Sequence, residues 1–474
     1  MLPHSTRGSP RSQTPGQEPN PPLPSERGPP ILPAFPSPPS AADCSLARQS
    51  RRLTPPSHRT HAVKGPNAAG PVAIVSHTIP DDLNGQAVML NRLSHAADGP
   101  GFVFLDTDRK ARARPPLACG SPCHPLGIPL MLRKLFRVPK LHSQLFSMLV
   151  RQRSRGIARI VRQHGCQSIV ACTGGDLVDL PASLEAGRLT GLPTFLYYFD
   201  DYHIQWTILG GRWSPRITSQ LRDLTEPRVL ARAQGVIAPN ETLADDVRSR
   251  TDTPVTIVRN PVDTGIYQQL RSQIPKPPLA NDRPLRIVYT GSIYAAQADS
   301  LRRLCDAIDL LRHRGIALQL HVYGPPPTAD ILSLLPEDRI ELHPAVSTAE
   351  AAEVQVRADL LFLPLSFDCG YPELIRTSAP GKFGEYLACG TPVVVHAPAG
   401  SFPVTFVRTH ACAAACDVPE SSRLADTLSN LLEQPEATAA ISQRAIAAAE
   451  DFAEPLNRKR FLQLVATKPA LAAA

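Results

Sequence analysis

The chain has 474 residues, 42% of them hydrophobic and 19% charged, enough for two or three domains with cores of their own. Of the formal charge of +8, the first 70 residues hold +5 (eight basic against three acidic side chains), leaving +3 for the body; with no RNP, zinc-finger or basic-zipper pattern, a nucleic-acid partner is excluded. No run of about 18 apolar residues occurs, and Arg and Pro interrupt every apolar stretch before Pro71, so neither a bilayer-spanning helix nor a signal peptide is expected.

Residues 1–70 contain 16 of the 51 prolines and show no apolar periodicity, a composition that cannot bury enough surface to offset its ordering entropy. The expectation is a disordered segment, either an extension upstream of the functional start or a Pro-rich partner-binding tail. From Val72 short apolar runs alternate with longer helical stretches, the pattern of βα units and parallel sheets. Expected strands in the first half are Val72–Ser76, Phe102–Leu105, Ser168–Cys172, Thr194–Tyr198, Gly235–Ala238 and Thr256–Val258. After a Pro-rich break at 275–284 come Leu285–Thr290, Ala317–Tyr323, Arg339–Leu342, Leu360–Leu363 and Pro392–Val395. Helices are expected at Gln297–His313, Thr348–Arg357, Ser421–Leu432 and Thr438–Asp451. The fold class is therefore α/β, with two Rossmann-like domains at 71–280 and 281–474. The ten cysteines are scattered, which suits free thiols, and Cys119/Cys123 with His124 lack a second ligand pair for zinc.

In open parallel sheets ligands bind beyond the carboxyl ends of the strands, so the loops there are where chemistry is sought. Neither G-x-G-x-x-G nor a Walker A motif is present; around Gly381-Lys382, Arg376 and Phe383 stand where Walker A needs Gly and Ser or Thr. The informative stretch is Tyr371 to Val395, YPELIRTSAPGKFGEYLACGTPVVV. Ser378 can cap a helix with Pro380 and Gly381 in its first turn, and Gly390 can close it. Lys382, free first-turn N–H groups and the helix dipole then suit a diphosphate, while Glu385 on the same face suits ribose hydroxyls. The same spacing also fits an ordinary helix with a surface Lys–Glu pair.

This stretch resembles the C-terminal signature of GT-B glycosyltransferases, in particular the retaining family four, in the subgroup reading roughly S-x-P-x-K-x-x-E-Y-L-A-x-G-x-P-V. VAIVSHTIPDDLNGQAVMLNRL from Val72, LPTFLYYFDD from Leu192, APNETLADDV and IVRNPVD within 233–263, RIVYTGS from Arg286, LHVYG from Leu320 and ADLLFLP from Ala358 follow in the same order, so the resemblance spans about 71–455. It implies two Rossmann-like domains facing a cleft and transfer of a sugar from a nucleotide-diphosphate donor, with retention, to a glycan or lipid-linked acceptor. It implies no required cofactor and no metal. It places Gly291, Ser292, Gly324, Thr377, Ser378, Lys382 and Glu385 at the donor, with Lys382 and Asp200 catalytic, and Asn84, Gly85 and Asp201 at the acceptor. The sequence departs from the pattern at Thr377, where many members carry Glu; at Ser292, which is not basic; and at Phe199, where a His is usual and His203 is the substitute at hand. Two other readings stay open: a catalytically silent nucleotide-sugar-binding subunit, and an epimerase on the same fold.

An electrostatic signal stands apart from the family. Thirteen basic and no acidic residues lie between Arg109 and Gly175, interleaved from Leu132 to Val150 with Leu135, Phe136, Leu141, Leu145, Phe146 and Leu149. That pattern suits an anionic membrane surface, which with the missing leader suggests the cytoplasmic face; a solvated helix face with an anion-binding loop fits it as well.

Overall fold

The strands are continuous apolar runs because both faces of each sheet are covered by helices. The computed structural model describes residues 70–466 except 81–83, 96–100, 109–110, 113–114, 128–136, 205–214, 276–282 and 337–338. The Pro-rich tail, the expected boundary at 280, Trp206 and the basic residues Arg109, Lys110, Arg114, Arg133 and Lys134 lie outside the described residues, as do Leu132, Leu135 and Phe136.

The first sheet comprises β1 (Val72–Ser76), β2 (Phe102–Asp106), β3 (Cys123–Pro125), β4 (Ser168–Cys172), β5 (Thr194–Tyr197), β6 (Gly235–Ala238) and β7 (Val255–Ile257). All its pairings are parallel and its order is β3-β2-β1-β4-β5-β6-β7. The second comprises β8 (Leu285–Thr290), β9 (Leu318–Tyr323), β10 (Ile340–His343), β11 (Leu360–Pro364), β12 (Val393–His396) and β13 (Ala414–Cys416), again parallel, ordered β10-β9-β8-β11-β12-β13. Each order reverses direction once, between β1 and β4 and between β8 and β11. At such a switch point the flanking loops turn to opposite faces and leave a crevice.

The chain changes halves near residue 260, earlier than the expected 280. Val258 packs in the first core, whereas Val262 and Tyr267 pack in the second, where the Tyr267 hydroxyl donates to Gln355 Oε1 at 2.8 Å. It then returns: the helix Glu454–Val465 lays Phe461 against Phe102 and Tyr197, with ring centroids 6.4 and 6.2 Å apart. Residues 454–465 therefore complete the N-terminal core, although the sequence reading placed them with the C-terminal domain. The two crossings touch, Val262 N–H donating to the Phe452 carbonyl and Glu454 N–H to the Val262 carbonyl, both at 2.8 Å.

The helix His142–His164 corrects the amphipathic reading. Leu145, Phe146 and Leu149 are buried in the first core, and Arg153 is buried in an ion pair with Asp179. Its outward face carries Met148, Arg151, Arg155, Arg159 and Arg162, with Leu141 at the entry. The described face is thus basic with isolated apolar residues, because the apolar stripe is spent on the sheet. Among the described residues no helix is long and apolar enough to cross a membrane.

Candidate active site

In the C-terminal half, β8 ends in Thr290-Gly291-Ser292. Gly291 has φ +122, and a Cβ there would lie 3.1 Å from Lys382 Nζ; a Cβ on Gly324, at the end of β9, would lie 2.4 Å from the Gly291 carbonyl oxygen. Two bare backbones therefore lie against each other, with the lysine amine above them. Lys382 Nζ donates to the Tyr289 hydroxyl at 3.1 Å and sits 4.6 Å from that ring's centroid. The Tyr289 hydroxyl in turn donates to the Ser292 carbonyl at 2.8 Å. Ser292 is exposed, and the cation beside the glycine comes from Lys382, 91 positions on.

Lys382 stands in the first turn of the helix Gly381–Ala388. Its N-cap is Pro380 and no side chain caps it, where Ser378 was expected; Ser378 closes the preceding short helix Pro372–Thr377 instead. The uncapped end leaves first-turn N–H groups for an anion. Thr377 is buried, its hydroxyl donating to the Glu373 carbonyl at 3.0 Å and its own carbonyl accepting from Asn240 Nδ2 at 2.9 Å, so it braces the two halves and does not line the donor loops. Glu385 diverges from Lys382: it accepts from Arg92 at 3.0 Å, and Arg92 also donates to the Pro261 carbonyl at 2.6 Å.

Across the cleft, β5 leads into Asp200 and Asp201, and the structure separates them. Asp201 is buried, with both oxygens taken by Arg250 (3.3 and 3.0 Å) and one also accepting the His203 N–H at 2.7 Å. Arg250 further binds Glu226, as does His203 Nδ1 at 3.1 Å. Asp201 thus anchors the loop through Arg250, and His203 is engaged by Glu226. Asp200 is half-buried, and burial together with the neighbouring Asp201 charge pushes its carboxyl up to about 6. The Thr173 hydroxyl fixes this loop, accepting from Phe199 N–H at 2.9 Å and contacting the Asp200 carbonyl at 3.3 Å.

Tyr294, on the loop after β8, lies within electrostatic range of both Lys382 and Asp200. Tyr294 and His77 were not anticipated. His77 follows β1 directly and closes over Gly174, where a Cβ would lie 2.4 Å from its ring; its place at the switch point is the signal that could have marked it. Asn84 caps the helix Gly85–Ser94, accepting from Ala87 N–H at 2.9 Å and donating to Thr78 Oγ1 at 2.9 Å. It therefore shapes the loop, while Gly85 beside it is exposed, with no atom within 4 Å of a Cβ position.

Residues 284–434 match the family model of glycosyl transferases group 1. The chain carries a glycosyltransferase domain. No curated protein matches the chain by sequence at a significant level. Among solved structures it is similar to HepE of Anabaena in complex with UDP (14% identity, TM-score 0.54, 83% of this chain and 98% of that one). It is also similar to an α,α-trehalose 6-phosphate synthase of Burkholderia multivorans (10%, TM-score 0.59, 84% and 98%) and to the lipopolysaccharide outer core galactosyltransferase WaaB (12%, TM-score 0.55, 83% and 98%). At these identities the likeness is one of fold, and the fold is GT-B. The glycosyltransferase domain contains Gly291, Gly324, Lys382 and Glu385, while Asp200 and Asn84 lie in the other half.

Proposed function

We propose that the protein transfers a glycosyl group from a nucleotide-diphosphate sugar to an acceptor hydroxyl, with retention. One observation carries this reading: a lysine amine set over a bare glycine at a sheet switch point, beside an uncapped helix N-terminus. Such a cradle favours the charge that grows on a leaving diphosphate. The bond from the anomeric carbon to the β-phosphate oxygen breaks, the acceptor oxygen bonds to that carbon, and the acceptor proton leaves with the nucleoside diphosphate. Lys382 and the first-turn amides offset the leaving charge, Asp200 orients the acceptor hydroxyl by accepting its hydrogen bond, and Glu385, steadied by Arg92, holds the ribose. HepE has been solved with UDP-glucose, which makes uridine donors the first to test. The acceptor we propose is a glycan or lipid-linked one, reached from an anionic membrane surface touched by Arg151, Arg155 and Leu141.

The test is a thermal-shift panel of UDP-, GDP- and ADP-sugars, followed by nucleoside diphosphate release with the stabilising donor. Lys382→Met should lower kcat by about 10²–10³-fold, about 3 kcal/mol, with a smaller change in donor affinity. Donor binding with no release under any acceptor would instead support the silent-subunit reading, which the buried Thr377 at the usual Glu position favours. No stabilisation by any donor would refute both.

A further inference from the structure

The outer edge of the second sheet carries a cluster that the donor site does not use. In the β9–β10 register Glu341 lies opposite His321 and His343 opposite Tyr323, so these four side chains project from one face. His321 Nδ1 lies 3.0 Å from His343 Nε2 and 3.3 Å from a Glu341 carboxylate oxygen; His343 Nε2 lies 3.3 Å from the other oxygen. The two short contacts to Glu341 fall on its two different oxygens, so both imidazole nitrogens and the carboxylate converge on one space. With one ligand atom taken from each residue, the three lie within 4.8 Å of one another; ligand atoms on a tetrahedral zinc with bonds of about 2.0–2.1 Å stand about 3.3 Å apart, so a small turn of the half-exposed Glu341 carboxylate seats the ion.

The surroundings fix the ligands. Tyr323 stacks on the His343 ring, with centroids 4.1 Å apart and planes within 8°, and Gln319 Nε2 donates to Glu341 at 3.0 Å. His321 is buried and its Nε2 has no hydrogen-bond partner among the described residues, so Nδ1, aimed at the cluster, is its one engaged ring nitrogen. The Glu341 side chain is 45% exposed, which leaves an entry path.

We infer that His321, Glu341 and His343 form a binding site for a divalent transition metal, zinc by ligand type, with at least one coordination position left to water. Two imidazoles and one carboxylate favour Zn²⁺ over Mg²⁺, which prefers oxygen alone. The ion would clamp edge strand β10 to β9. Because Gly324 N–H donates to the His343 carbonyl at 3.3 Å, the clamp would steady the backbone that abuts Gly291.

The full chain, stripped with chelator, is titrated with Zn²⁺ by calorimetry and with Co²⁺ by absorption, Mg²⁺ serving as control. The expected result is one Zn²⁺ per chain, a rise in melting temperature, no effect of Mg²⁺, and a Co²⁺ ligand-field spectrum without a thiolate charge-transfer band. His343→Ala and Glu341→Gln should each weaken Zn²⁺ by more than about tenfold while the metal-free melting temperature holds. If His343→Ala fails to fold, the half-exposed Glu341→Gln decides. Absent stoichiometric binding, unchanged affinity in Glu341→Gln, or a thiolate band assigning the metal to the cysteines would each overturn the site.

Discussion

Replacing Asp200 by Asn should stabilise the protein near neutral pH and abolish that gain in acid. In the fold this carboxyl titrates at about 6 against an ordinary 3.8, so the folded state binds its proton more tightly than the unfolded chain. The sign follows: between these values the folded state holds the extra proton, stability falls as pH rises through the window, and above about pH 6 the full cost of the charge is present. Two pKa units at 1.36 kcal/mol each set an upper limit of about 3 kcal/mol. Because Asp200 keeps some contact with solvent, a gain of about 2 kcal/mol is expected for Asp200→Asn near pH 8, shrinking to a few tenths near pH 4. Asp201 keeps its Arg250 partner in both proteins, so it does not contribute to the difference. Urea denaturation of both proteins across this pH range measures it, and turnover measured alongside should fall in the variant. A variant less stable at about pH 8, or a gain that does not change with pH, would refute the argument that burial and Asp201 destabilise this charge.

Gly324→Ala drives a Cβ to 2.4 Å from the Gly291 carbonyl oxygen, backbone against backbone, so a loss of about 1–3 kcal/mol in denaturation is expected, together with weaker donor binding as the footing of Lys382 shifts. Arg151→Glu with Arg155→Glu, both exposed, should release the protein from anionic vesicles without changing its melting temperature; wild-type protein that ignores such vesicles, or binds them equally at high salt, removes the membrane proposal. Arg153→Glu is the contrasting control, since it strands the buried Asp179 and should cost about 3–5 kcal/mol.

The sheets were readable because doubly covered parallel strands are unbroken apolar runs, and Ser168–Cys172, Gly235–Ala238 and Leu285–Thr290 fall where the runs do. The edge strands β3 and β13 were not, for Cys-His-Pro and Ala-Ala-Cys are three residues long and half-exposed, with no run to detect. The return of Phe461 to the first core was not legible, because hydrophobicity does not name a partner. The adjacent aspartates show the same limit at the site. Nothing local tells Asp200 from Asp201; the difference is made by Arg250, 49 residues from Asp201. Lys382 was legible through its spacing to Glu385, whereas their divergence, one toward Tyr289 and the other toward Arg92, is set by what packs on either side of their helix.

The chain passes between the halves twice at one place, Val262 against Phe452–Glu454. The two crossings are bonded to each other there, and the halves are tied again where Asn240 meets the Thr377 carbonyl and Arg376 meets Asp246. Two separate ties resist relative rotation better than one, so Arg92, Pro261 and Glu385 beside the first are held in register across the halves.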